Sequence, residues 1–395
     1  MVWRKALAML FALLLVSTTV GFGRVTAETQ VTVILVSDNE ADSALAQYLA
    51  NLTGAIVVTT PWGVYDPNVT AEVTSYAPDT VIIIGGPDAV VEQYVSDLQD
   101  LNITVERWWG KTRYETNLAV IGNATVKLKI KFENSVIVVP GNDTAGIQEA
   151  LRRAVKVHGF IIFANNSTDV MKIMAKFQVW PKNMTIIRSR IMEKVAERVL
   201  ERLRKGTVNA NLTEVKVNIT AEMALEAINM SEERINTAEE LLANVTLPEQ
   251  KEWLAQKMLN LAKEELERAK EAYEEGKYGR AYGQAIAAKA HAEFVIRIAS
   301  EEWLVKVRFD PATRALIFLH RVEIQLKVLE RAGVNVTRVQ ELVDQLKVAI
   351  ENKDYDAIDS LMEQIREELM DMYWHGKTKL RERIIMPVRG RHGRP

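Results

Sequence analysis

Apolar residues follow two rhythms along this chain, and the change from one to the other divides it. Up to about residue 203, short runs such as Val31 to Val36, Ala55 to Thr60 and Val81 to Ile83 alternate with amphipathic segments. An unbroken Val/Ile run of strand length is a strand covered on both faces, and strands separated by helical segments build a mostly parallel sheet between helices. The runs recur. Val31 to Val36 is matched by Ser135 to Pro140, Ala55 to Thr60 by Gly159 to Ala164, and Val81 to Ile83 by Thr185 to Ile187, each pair 104 residues apart. Val91 and Val95 in the next segment correspond to Val195 and Val199 at the same offset. Random strands would not keep one offset through several elements, so residues 28–203 are expected to be two tandem α/β repeats.

From about Ile191 the apolar spacing becomes helical. Ala224, Ile228, Ser231, Ile235, Ala238 and Leu242 step by four and three, as do Ala281, Ala285, Ala288, Ala292 and Val295. Ala315, Leu319, Val322, Leu326 and Leu329 continue the series, and Leu361, Ile365, Leu369 and Met372 close it. These are seam positions of packed helices, and Pro248, Pro311 and Gly333 cut the region into several of them. The expected fold is an α/β N-terminal half with two tandem repeats and a mostly parallel sheet, followed by an all-α helical bundle. Long helices are expected over 204–310, and a helical hairpin or bundle with a basic tail over 311–395.

Residues 81–116 carry the most specific signal. A buried-strand run ends in Gly85-Gly86, Ala89-Val90 opens the next helix, and a second strand leads to Gly110-x-x-Arg113-Tyr114-Glu115-Thr116. Together these residues resemble a cell wall-binding repeat 2 domain. The resemblance implies an extracytoplasmic protein held noncovalently to an anionic envelope polymer through tandem copies, whose combined binding gains from multivalency. It covers under half of the chain. The second copy is degenerate, because Ser189-Arg190 replaces Gly85-Gly86 and no Arg-Tyr-Glu-Thr follows. The family typically uses three copies and this chain has two at most, so polymer affinity is weakened, lost or turned to another glycan.

The ends of the chain and its composition narrow the setting. Arg4 and Lys5 precede an apolar run from Ala6 to Val20, followed by Val25-Thr26-Ala27, which reads as a secretory signal peptide over 1–27 with cleavage near Ala27. The alternative is an uncleaved N-terminal anchor, for which the run is at the short edge of the ~17–25 residues a span needs. Thirteen Asn begin N-x-S/T: Asn51, Asn68, Asn102, Asn123, Asn142, Asn165, Asn166, Asn183, Asn211, Asn218, Asn229, Asn244 and Asn335. Chance would supply about two such sites, so these are expected glycosylation sites on exposed turns. A net charge of −2 leaves no basic footprint for nucleic acid beyond the tail residues Arg389, Arg391 and Arg394. With no Cys, an exported chain must be held by packing and ion pairs. Charge abundance without Cys suits a hot-adapted organism, and the sequon density suits an archaeal surface.

The five His, at 158, 291, 320, 375 and 392, are scattered. No H-E-x-x-H, carboxylate-rich metal loop or G-x-S-x-G elbow occurs, so no enzyme, metal or cofactor is expected. Five residues remain as candidate ligand contacts. Gly85 and Gly86 either present backbone N–H groups to an anion or simply allow a sharp bend. Trp108 and Trp109, neighbours on a strand, point to opposite faces, so one is core while the other is a carbohydrate platform or an interface anchor. Arg113 either grips an acidic group of the polymer or, with Glu115, fastens one repeat to the next. Asp38 and Asp143 follow corresponding strands and are read as helix N-caps.

The expected function is therefore that of a secreted, N-glycosylated envelope protein. Its α/β repeats bind an envelope polymer or glycan, and its helices present or space partner contacts, surface-layer or other envelope proteins among them. A secreted self-assembling helical protein, a homo-oligomer without polymer binding, is the alternative. An enzyme acting on an envelope glycan comes third.

Overall fold

The computed structural model describes residues 30–189, 193–205 and 210–385. The expected leader over residues 1–27, Arg190 and the tail with Arg389, Arg391 and Arg394 lie outside the described residues. Each unbroken apolar run is a strand. β1 (Thr32–Ser37), β2 (Ile56–Thr60), β3 (Thr80–Ile84) and β4 (Thr104–Trp108) form one four-stranded sheet in the order β2-β1-β3-β4. β5 (Ser135–Pro140), β6 (Phe160–Ala164), β7 (Asn183–Ser189) and β8 (Asn211–Val217) form a second, in the order β6-β5-β7-β8. Every pairing is parallel. Val33 pairs with Val81 in the first sheet and Ile137 with Thr185 in the second, so the repeat offset maps onto equivalent sheet positions.

Helices follow the strands one by one. In the first repeat they are α1 (Glu40–Thr53), α2 (Pro67–Ser75), α3 (Gln93–Gln99) and α4 (Arg113–Val126), and in the second α5 (Thr144–Val157), α6 (Val170–Phe177), α7 (Glu193–Lys205) and α8 (Ala221–Asn244). Their starts are written in the sequence. Asn39, Asp66, Thr112, Asp143, Asp169 and Thr220 each accept a bond from a first-turn backbone N–H that has no partner within its helix.

The second repeat does not end at residue 203. β8 extends its sheet to Val217, and α8 follows β8 as α4 follows β4, each capped by a Thr. No apolar run marks β8, because both of its faces are largely uncovered: Leu212, Thr213, Glu214 and Lys216 are all exposed.

A single apolar core joins the repeats. Ile34, Val36, Ile82 and Ile84 on one face of the first sheet pack with Leu45 and Tyr48 of α1 and with Val120 and Ile121 of α4. Ile137, Phe160 and Ile162 of the second sheet belong to the same cluster. Asn117 on α4 donates to the Ile161 carbonyl (3.2 Å) and accepts from the Phe163 N–H (3.0 Å), which satisfies the free edge of β6. Tyr48 OH closes another link, donating to Gly159 O at 2.5 Å.

The remaining helices are α9 (Glu249–Glu274), α10 (Tyr278–Phe309), α11 (Pro311–Arg331), α12 (Thr337–Glu351) and α13 (Tyr355–Ile385). Among the described residues no helix is long and apolar enough to cross a membrane. The all-α part divides into two groups. α8, α9 and α10 meet along a seam of small residues, among them Ala224, Ala238, Ala255, Ala262, Ala285 and Ala292, which allow close approach. Ser231 adds a bond across this seam, its Oγ lying 2.7 Å from Ala285 O. α11, α12 and α13 instead complete the core on the other face of the first sheet, with Val33, Leu35, Val81 and Ile83.

Ion pairs fasten this second group. Arg321 of α11 lies 2.5 Å from Asp97 and 2.9 Å from Asp100. Lys377 (2.7 Å) and Arg381 (2.8 Å) of α13 both reach Asp79, just before β3.

Candidate functional site

In an open parallel sheet ligands gather beyond the carboxyl ends of the strands, where the order reverses. Here that point lies between β1 and β3. Asp38, Asn39 and Asp42 follow β1, and Gly85-Gly86 follow β3. A cleft of about 420 Å³ opens there, lined by Asn39, Asp42, Trp62, Gly86, Trp109, Lys111 and Arg113 among others.

Each glycine has a definite reason. Gly85 holds φ +119°, a conformation that side chains avoid, and a Cβ on it would come within 3.3 Å of Asp42 Oδ2. At Gly86 a Cβ would stand 2.9 Å from Trp109 Cε3, because the six-membered ring of the indole rests on that residue. Trp109 is 42% exposed and forms a wall of the cleft. Trp108 is 2% exposed and donates its indole N–H to Glu106 at 2.8 Å. Alternation along β4 thus separates the two indoles, and Trp109 is the one on a surface that a ligand can reach.

The Gly-x-x-Arg-Tyr-Glu-Thr stretch is first a helix start. Thr112 Oγ1 accepts from Glu115 N (3.3 Å), Glu115 accepts in return from Lys111 N (2.7 Å), and Thr116 Oγ1 accepts from Gly110 N (3.1 Å). A Cβ on Gly110 would fall 2.2 Å from Glu115 Cβ, so no other residue fits. The stretch also joins the repeats. Arg113 Nη1 donates to Gly141 O at 3.1 Å, Tyr114 lies against Gly141, and Tyr114 OH donates to Asn142 at 3.2 Å. Glu115, the other residue expected to reach across, closes the cap instead.

The same place in the second repeat is shut. Asp143 accepts from Gly146 N (2.9 Å), as the N-cap of α5, and from Ser189 N (2.7 Å), at the position matching Gly85. It thereby bridges the point that Gly85-Gly86 leaves open. Asp38 does not cap a helix. Asn39 caps α1, while Asp38 accepts from Trp62 N (3.0 Å) and pairs with Arg234 of α8. The N-cap reading therefore holds for Asp143 and is corrected for Asp38, because the helix begins one residue later than the strand-end spacing suggested.

Charges from the helical half gather beside the cleft. Lys289 of α10 lies 2.6 Å from Glu40, and Glu293 stands 3.6 Å from Arg234 and 3.7 Å from Lys289. Asp42 Oδ1 and Glu293 Oε1 are both buried without a hydrogen-bond partner. Burial raises the Asp42 carboxyl to about 6; Arg113 opposes the shift and Glu293 adds to it. Burial also raises Glu293, against the pull of Lys289 and Arg234. Asp42, Trp62, Lys289 and Glu293 escaped the sequence reading, since acids and lysines on amphipathic helices look like any solvated face.

None of the thirteen sequon asparagines is buried, and Asn123 and Asn165 are half-buried. Asn102, Asn142, Asn165, Asn166, Asn218 and Asn335 lie in turns or loops as expected. Asn51, Asn68, Asn123, Asn229 and Asn244 are helical instead, and Asn183 and Asn211 begin strands. Ser231, the hydroxyl residue of the Asn229 sequon, is wholly buried in the helix seam.

No family model matches the chain. An uncharacterized protein of Methanocaldococcus jannaschii is 37% identical over 166 residues, which is 42% of this chain. The chain spans 43% of that relative's length. Solved structures of Cwp6 and Cwp8 from Clostridium difficile, each 21% identical, each align with 47% of this chain. Their TM-scores are 0.39 and 0.40, and the alignments cover 29% and 31% of those chains.

Proposed function

We propose that this is a noncatalytic envelope protein that binds an envelope glycan at the strand-end cleft of its first α/β repeat. The observation that carries the reading is the cleft itself. Gly85-Gly86 open it, the exposed Trp109 indole forms one wall, and the Arg113 guanidinium forms another, with one N–H on Gly141 O and further donors facing the cleft. A flat indole stacks on a sugar ring, and a planar guanidinium donates to sugar hydroxyls or to an acidic substituent. In the second repeat Asp143 bridges to Ser189 at the matching point. Exported location and glycosylation, read from residues 1–27 and from the sequons, are part of the same proposal.

The test is cosedimentation of the full chain with envelopes isolated from the source organism. Trp109→Ala and Arg113→Gln are each expected to weaken adhesion by about tenfold or more, the scale of a lost anchor residue. Circular dichroism checks that both variants fold. Adhesion equal to that of the unaltered chain in both would remove the cleft from the reading, and absence of adhesion by the unaltered chain would remove envelope binding itself.

A further inference from the structure

Beside the cleft at Trp109 lies a second one, of about 350 Å³, bounded by α10. The two share Asn39 and Arg113, so Arg113 stands between them. We infer that the two clefts are one groove with two saccharide subsites, and that α10 supplies the roof and the recognition groups of the inner one. This rests on the glycan reading above and deepens it, because the helical half then takes part in recognition itself.

The inner cleft is built for a hydroxyl-rich ligand. Its walls carry Glu40, Arg113, Tyr282, Lys289 and Glu293, so donors and acceptors face one another across a space of small-molecule size. Glu293 Oε1 has no hydrogen-bond partner, and its nearest cations, Arg234 and Lys289, stand at 3.6 Å and 3.7 Å. Carboxylates accept well from sugar hydroxyls, and an ammonium donates to hydroxyl or amide oxygens. A polyanion entering here would meet Glu40, Asp143 and Glu293 at close range in a site of low dielectric. The occupant of the inner subsite is therefore a neutral sugar residue, a hexose or an N-acetylated hexosamine, joined to the residue stacked on Trp109.

The experiment uses the full chain made in a host without N-glycosylation, which leaves Asn142 on the rim bare. The probes are fragments released from isolated envelopes by partial acid hydrolysis and separated by length. Amide exchange is followed over residues 109–113 and 283–293, and affinity is measured by calorimetry. Fragments of two or more residues are expected to protect both segments, and single residues only the first. Ala290→Trp, at an exposed position lining the inner cleft, is expected to weaken the longer fragments by about tenfold and leave single residues unchanged. Long fragments that protect 109–113 alone, or that bind Ala290→Trp as they bind the unaltered chain, would overturn the inference and leave the outer site standing. If no fragment binds and neither segment is protected, the glycan reading fails and takes this inference with it.

Discussion

Replacing Arg321 by Ala is expected to lower the free energy of unfolding by about 3–5 kcal/mol, read as a shift of the urea midpoint. The reason lies in what remains behind. Asp97 is wholly buried and receives bonds from Tyr65 OH, from Thr70 (3.1 Å) and from Gln93 (2.7 Å), with Arg321 as its counter-charge. Removing the guanidinium leaves a carboxylate without compensation in the shared core, and also removes a cation stacked 4.9 Å from the Phe318 ring. Arg321→Met combined with Asp97→Asn should recover much of the loss, since a neutral pair leaves no uncompensated charge. A single-variant shift below about 1 kcal/mol would mean that water reaches the pair and that α11 sits loosely on the first repeat.

The second large effect is on the pH dependence of stability, and it comes from Asp42. Its carboxyl titrates near 3.8 when unfolded and about 6 when folded, because burial disfavours the charged form. Between these values the folded state binds more protons, so stability falls as pH rises, by about 2–3 kcal/mol in all. The contribution is whole below the unfolded value and gone above the folded one. Glu293, raised by burial as well, acts in the same direction. Asp42→Asn should therefore match the unaltered chain near pH 4 and exceed it in stability at pH 7, with a flatter profile between. The charged groups that act on it are Arg113 from α4 and Glu293 from α10, and Glu293 in turn faces Arg234 of α8 and Lys289 of α10. Equal differences between variant and unaltered chain at both pH values would show that Asp42 stays hydrated in solution.

The second repeat shows the alternative at the same point, where Gly146 stands at the position matching Asp42 and Asp143 bridges to Ser189. One repeat keeps a carboxyl oxygen without a partner beside the outer cleft, and the other satisfies its acid. The helical half enlarges that difference, because Lys289 and Glu293 descend toward the open repeat.

Local rules in the chain were enough to settle the strands built on apolar runs, the parallel α/β repeats, the helical second half and the separation of Trp108 from Trp109. Unbroken Val/Ile runs can only be strands covered on both faces, and alternation along a strand turns adjacent side chains apart. The Arg-Tyr-Glu-Thr signature was visible as a motif, but its chemistry as a cap and a fastening to Gly141 required Thr112 and the loop after β5 in place. β8 has no apolar run to betray it, because most of its side chains are exposed on both faces of the sheet. The site's inner half could not be read from the sequence at all. Glu40 and Lys289 are far apart along the chain and yet lie 2.6 Å apart, and a pairing across that separation leaves no local pattern. Periodicity reports which face of an element is buried. What the face is buried against, and hence which charges lose their water, is decided only by how the elements pack.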